Sequence, residues 1–290
     1  MQLTRKMDAL VTEADGRFLL DFDSDRSYAV RRAAAVRDVA EAAGLWRLCW
    51  TLAWLDIRLR YRGSVLGPLW LTMSTGIMVA AMGTLYSVLW HLPPHEFVPY
   101  LALSLVLWNF LSVLVTDSCT GYTLAEGMIR TVRMPYSLYA GRIVLRNLLV
   151  LAHNVVVVLI VDLVLWTWPG PTALLAIPAM AIWLADALAV AVLLGALCAR
   201  FRDIPPIAAS VLQMAFMVSA VIFRPDALGA RQWLLTFNPF FTVLEILRRP
   251  LMDSVPAGGT YLSALLFSGL LCGLAWMLFV RVRGRIAFWI

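Results

Sequence analysis

Charge is scarce in this chain, and that scarcity excludes whole classes of function. Only 14% of the 290 residues are charged and 61% are hydrophobic, where a soluble domain carries roughly 25% and 45–50%. One globular core cannot enclose that much apolar surface. Runs of about 20 apolar residues, enough to cross a hydrocarbon layer of about 30 Å, recur with short polar breaks. Lipid is therefore the expected solvent. Lysine is nearly missing: among 24 basic residues only Lys6 is a lysine. A phosphate loop of the form G-x-x-x-x-G-K-[ST] needs a lysine to reach the terminal phosphates, and Lys6 follows Met1-Gln-Leu-Thr-Arg5 with no glycine. That excludes an ATPase of this kind. The three histidines are equally unhelpful, because His91 and His95 flank Pro93-Pro94 in a loop and His153 stands apart, so no metal site is expected. Four cysteines, Cys49, Cys119, Cys198 and Cys272, are too widely spaced for a redox or metal motif and read as small packing residues. The stretch Arg62-Gly-Ser-Val65 lacks the second glycine of a nucleophile elbow. No catalytic residue and no cofactor is expected on this chain.

What is present is a membrane plan. Residues 1–44 read as a cytoplasmic tail that carries Asp21, Asp23 and Asp25, has no apolar core of a cleavable signal peptide, and contains a helix-prone stretch from Ser27 to Ala43. Residues 45–290 read as one transmembrane domain. From Leu45 to Leu59, Trp46, Trp50 and Trp54 fall four apart on one helical stripe, while Arg47, Asp56 and Arg58 interrupt the apolar character. Such a helix lies in the interface instead of spanning. Six spans follow, at about 69–90, 98–119, 143–166, 172–198, 206–223 and 261–280. Arginines crowd alternate loops: Arg58, Arg60 and Arg62; Arg130, Arg133 and Arg142; Arg200 and Arg202; Arg281, Arg283 and Arg285. The other loops between the first four spans, His91–Pro99 and Thr167–Pro171, contain no lysine or arginine. Positive charge marks the inside, so both termini are expected in the cytoplasm, and the net charge of +6 reports topology and lipid contact instead of nucleic acid. Trp90, Trp108, Trp166 and Trp168 sit near span ends and read as interfacial anchors.

Acids inside spans are costly unless paired or wet. Asp117 and Asp162 fall near span ends, where water is close; Asp186 falls near the middle of the fourth span, where Asn154 or His153 could satisfy it. Between the fifth and sixth spans, Arg224 to Gly259 predicts two short helices dipping into the membrane as an external gate. Asn238-Pro239 is a helix start, with Asn as cap and Pro at the first helical position. A piece around Leu228–Phe237 precedes it, and the run through Phe240 and Glu245 to Leu247 is halted near Pro250. The alternative, one extra span from Gln232 to Leu247, would bury Asn238 and Glu245 and put the terminal arginines outside.

Several patterns together resemble the membrane subunits of type-two ABC exporters, specifically permeases for O-antigen, capsular polysaccharide or teichoic acid. They are Asp56-Ile-Arg-Leu-Arg-Tyr61-Arg-Gly-Ser-Val-Leu-Gly67-Pro-Leu-Trp70, Glu126-Gly127, Arg133-Met-Pro135, Arg146-Asn147 with His153-Asn154, Arg200-Phe-Arg-Asp203, Asn238-Pro239 with Glu245 and Arg248, and the ending Arg281-Val-Arg-Gly-Arg285-Ile-Ala-Phe-Trp289. The resemblance covers about residues 45–290 and leaves the acidic tail unassigned. It implies a homodimeric channel in a bacterial inner membrane, two copies of a separate ATPase subunit carrying ATP and Mg, and a lipid-linked glycan as substrate. A drug, a lipid or a teichoic acid-like polymer is the alternative cargo. Glu126, Arg130, Arg133, Arg200, Arg202 and Asp203 are the expected ATPase-coupling residues, and Arg58, Arg60 and Arg62 the expected contacts to lipid or substrate phosphate. Sugar rings pack on aromatic faces, which makes Tyr86, Trp90, Phe216 and Phe223 candidates for the channel wall.

Overall fold

The computed structural model describes residues 28–63 and 69–290. Lys6, Asp21, Asp23 and Asp25, and residues 64–68 of the exporter-like pattern, lie outside the described residues. Among those described, regular structure is entirely helical: α1 Tyr28–Gly44, α2 Trp46–Arg60, α3 Leu69–Leu89, α4 Pro94–Leu124, α5 Glu126–Thr131, α6 Tyr136–Leu165, α7 Ala176–Arg200, α8 Ile204–Val218, α9 Pro239–Leu251, α10 Gly258–Val282 and α11 Ile286–Trp289. Tighter 3-10 turns occupy Pro171–Leu175, Pro225–Phe237 and Arg283–Arg285. The segments containing α3, α4, α6, α7 and α10 are long and apolar enough to cross a membrane. This is an all-α, multi-pass membrane protein. The expected fifth span, 206–223, is different: α8 has 15 residues, about 22 Å of helix, and ends at Val218 because Ala220 takes a positive φ of 49°.

Other boundaries moved for local reasons. Helix α4 begins at Pro94, whose fixed φ and missing N–H suit a first helical position. Pro99 does not break it, since the bond it forfeits would reach only the exposed first turn at His95. Helix α6 starts at Tyr136, directly after Pro135, so the expected loop Thr120–Arg142 shrinks to a one-residue turn at Ala125, α5 and the non-helical residues 132–135. Helix α9 ends at Leu251, at the predicted halt near Pro250.

Helix α4 is the centre of the bundle, packed by α6, α7, α3 and α8, with Phe97, Leu101 and Val106 inaccessible to solvent. Trp108 belongs to this core: it is buried and its ring lies 5.6 Å from Phe216 and 5.8 Å from Phe240, so it is not an interfacial anchor. Trp90, Trp166 and Trp168 are exposed. Cys49, Cys119 and Cys198 are buried and unbridged. Asp186 accepts from Ser268 Oγ of α10 at 2.7 Å, while His153 turns to its own helix at the Leu149 carbonyl. The partner expected on the third span is thus replaced by one on the last, because α7 packs closely along α10.

Candidate functional site

One end of the bundle gathers α1, α5, the start of α6, the close of α7 and the C-terminal turn. Its apolar floor is Tyr122, Tyr139, Ala196, Val282 and Ile286, with Met128 and Ile129 of α5 and Trp289 packed against it. Asp38 of α1 pins this floor. Its buried carboxylate accepts from the N–H groups of Tyr136 at 3.2 Å and Ser137 at 3.0 Å, and from Arg283 Nε at 2.7 Å. A carboxylate from one helix therefore caps the positive N-terminus of another. On the outer side, Glu126 and Arg130 pair at 2.9 Å one turn apart, and Arg130 also donates to the Ile290 carbonyl. The guanidinium of Arg200 lies 6.0 Å from the Trp289 ring, with Arg202 and Asp203 exposed beside it. The expected coupling residues of α5 and of the α7–α8 turn thus share one face through the C-terminal residues.

Helix α2 docks on α6 through buried Cys49, Ala53 and Ile57, leaving Trp46, Trp50 and Trp54 exposed. Its anchor is an ion network. Asp56 accepts from Arg142 Nε at 2.7 Å and Arg146 Nη1 at 3.4 Å. Asp117 of α4 accepts from Arg146 Nη2 at 2.7 Å and Asn147 Nδ2 at 3.0 Å, with Arg60 at 3.6 Å. Sequence reasoning singled out Asp117 as water-facing and grouped Arg142 with the topological arginines; the structure makes both structural partners of α2. Arg58, Arg60 and Arg62 are all exposed, and Arg60 leans toward this network.

At the opposite end the chain after α8 turns through 219–223, and its free carbonyls meet side chains. Tyr100 Oη donates to the carbonyls of Ala220 and Phe223, and Arg248 Nη1 donates to Ala220 O at 2.8 Å and to Ser104 Oγ at 2.8 Å. Arg248 and Glu245 are buried together and bonded, Arg248 stacks 4.4 Å over Tyr100, and Arg249 reaches Glu245 at 2.7 Å. Asn238 does cap α9, accepting from Phe240 N at 3.0 Å and Phe241 N at 3.3 Å, and its amide donates to Val218 O and Ser219 Oγ. The preceding piece is a 3-10 turn interrupted at Gly229, whose φ is 52°. Extended backbone at Asn238 rules out a continuous helix from Gln232 to Leu247.

The order of these parts matches a known plan. The sequence profile described as ABC-2 type transporter covers residues 47–252. This chain belongs to that family. The match runs from the start of α2 to just past α9, and α1 and α10 lie outside it. Among curated proteins, the ABC-2 chain is 23% identical over 192 residues to the O-antigen export system permease protein RfbA of Myxococcus xanthus, covering 65% of this chain and 74% of that one.

As members of an ABC-2 chain, the expected wall residues fall in separate places. Tyr86 and Trp90 stack at 4.7 Å, with Trp90 edge-on to Phe97; Phe216 lies against Trp108; Phe223 packs beside Ala220, Leu235 and Phe241. Tyr86 and Phe216 both pack against the main core, whereas Phe223 belongs to a separate small cluster. Among the described residues no group of His, Cys, Asp and Glu could hold a metal ion.

Proposed function

We propose that the chain is the channel-forming subunit of an exporter of lipid-linked polysaccharide, of O-antigen or capsular type. Two copies form the passage. Two copies of a separate ATPase, holding ATP and Mg, bind the end built from α5, the α7–α8 turn and α11. That end faces the cytoplasm of a bacterial inner membrane, α8 with residues 219–223 completes a sixth crossing, and the 3-10 piece and α9 form a re-entrant gate on the far side. Helix α2 lies at the cytoplasmic interface with its tryptophans toward lipid and with Arg58 and Arg62 available to phosphate.

The observation that carries the reading is the convergence of Glu126, Arg130, Arg200, Arg202 and the C-terminal arginines on one end of an ABC-2 chain. Positive charge favours the cytoplasmic side, and a chain with no phosphate loop draws energy from a partner. The cargo class rests on the named role of the Myxococcus relative. Deleting the gene in its host should leave lipid-linked glycan accumulated inside the inner membrane and stop its appearance at the surface; the purified chain should hold an ATPase subunit in mild detergent. Normal surface glycan in the deletion strain overturns the cargo, and a chain that transports without an ATPase overturns the mechanism.

A further inference from the structure

A cavity of about 500 Å³ opens between α4 and α6 at the end that carries α9, within the roughly 300–1,000 Å³ of ordinary ligand sites. Its wall on α6 runs from Leu151 to Asp162, about 16 Å of helix, close to half of a hydrocarbon layer of about 30 Å. The cavity is therefore one leaflet deep. Its inner part is apolar, with Leu103 and Leu107 facing Leu151 and Val158, and its side is open, because the lining residues Val155 and Leu159 are 37% and 49% exposed. Only the rim is polar. There Glu96, Asp162 and Asp253 line the same cavity as His95, which lies 3.9 Å from Glu96, and a single arginine, Arg224. Arg224 pairs with Glu96 at 2.8 Å, Asp253 accepts from Thr172 at 2.7 Å and Asp162 from Thr167 at 2.9 Å.

We propose that this groove seats one acyl chain of a zwitterionic glycerophospholipid from the leaflet at that end, with its phosphate at Arg224 and its ammonium among the carboxylates. An apolar slot one leaflet deep, open sideways and polar only at headgroup level, has the shape of a lipid tail below its head. Rim charge selects the head: three carboxylates share the rim with one guanidinium that Glu96 and Asp226 already pair, an acidic balance that repels an anionic lipid and accommodates a phosphate that brings its own cation. Helix α9 closes the floor with Leu247 and Leu251, so the seated lipid braces the same helix that holds the buried Glu245–Arg248 pair. The site is independent of the cargo.

The test uses the full-length chain, delipidated in detergent, with phosphatidylethanolamine or phosphatidylglycerol of identical chains added. Phosphatidylethanolamine at about one hundred times its Kd should raise the unfolding midpoint by roughly 5 °C, and phosphatidylglycerol by much less. Val155→Trp and Leu159→Trp, which fill the groove from its exposed lip, should remove the gain, while Ile160→Trp, exposed on the same helix outside the groove, should keep it. Equal stabilisation by both lipids overturns the headgroup assignment, and a gain that survives both tryptophan variants overturns the groove. Should those variants fold poorly, native mass spectrometry of the unaltered chain decides: one retained phosphatidylethanolamine per chain supports the site, and none, or an unselective mixture, overturns it.

Discussion

At the residue scale, Arg248 stands out among the described residues as a large, fully buried and multiply bonded side chain. It is 1% exposed and bonds a carboxylate, a hydroxyl and a carbonyl from three segments. Removing one partner of a buried ion pair costs about 3–5 kcal/mol, while replacing the whole pair by apolar groups is often neutral. Arg248→Met should therefore lower the unfolding midpoint in detergent by on the order of 10 °C, and Glu245→Leu added to it should recover part of the loss. A single variant as stable as the parent would mean that Arg249 alone satisfies the buried Glu245 carboxylate. Glu245 was legible in the sequence as a polar residue in an apolar run. Its partner on the same helix was also visible at i+3, but Tyr100 and Ser104, more than a hundred positions away, carried no local signal.

At the element scale, α2 and α9 are both short amphipathic helices held by ions, and each has its own test. Asp56 accepts from two arginines of α6; Asp56→Asn should loosen α2 and raise hydrogen exchange across Trp46–Arg60 several-fold while α4 is unchanged. Uniform exchange in both proteins would show that Cys49, Ala53 and Ile57 suffice to dock it. For α9, cysteines placed at Arg231 and Val255, both exposed and on either side of the helix, should react with an impermeant thiol reagent from the same side of the membrane in a variant lacking native cysteines. Labelling from opposite sides would make α9 a crossing. The start of α9 was readable because an asparagine before proline is a local capping signal. The end of α8 was not: nothing in the hydropathy of 219–223 marks the break, and the backbone there is tolerated because Tyr100 and Arg248 supply donors.

At the scale of the whole molecule, the proposed force path enters at α5. Glu126 and Arg130 pair with each other, so single charge reversals break that pair, whereas the exchange Glu126→Arg with Arg130→Glu restores it and inverts the surface. If a partner reads this surface, export should fail in the singles and in the exchange alike, with normal membrane insertion; if the exchange exports normally, the pair is only an internal brace. Composition alone determined the solvent of this chain, since so little charge and such long apolar runs cannot be folded in water. The tryptophan stripe of α2 and the alternation of basic loops were also legible, the first because it lies within a few turns of one helix and the second because loop composition is read directly along the chain. What only the tertiary structure decided is which distant groups satisfy one another: Asp38 with the start of α6, Asp56 and Asp117 with Arg142 and Arg146, Asp186 with Ser268, and Arg248 with the broken end of α8. In a low-dielectric medium an unpaired buried polar group is costly, but the partner is chosen by how helices pack, and hydropathy is blind to that choice.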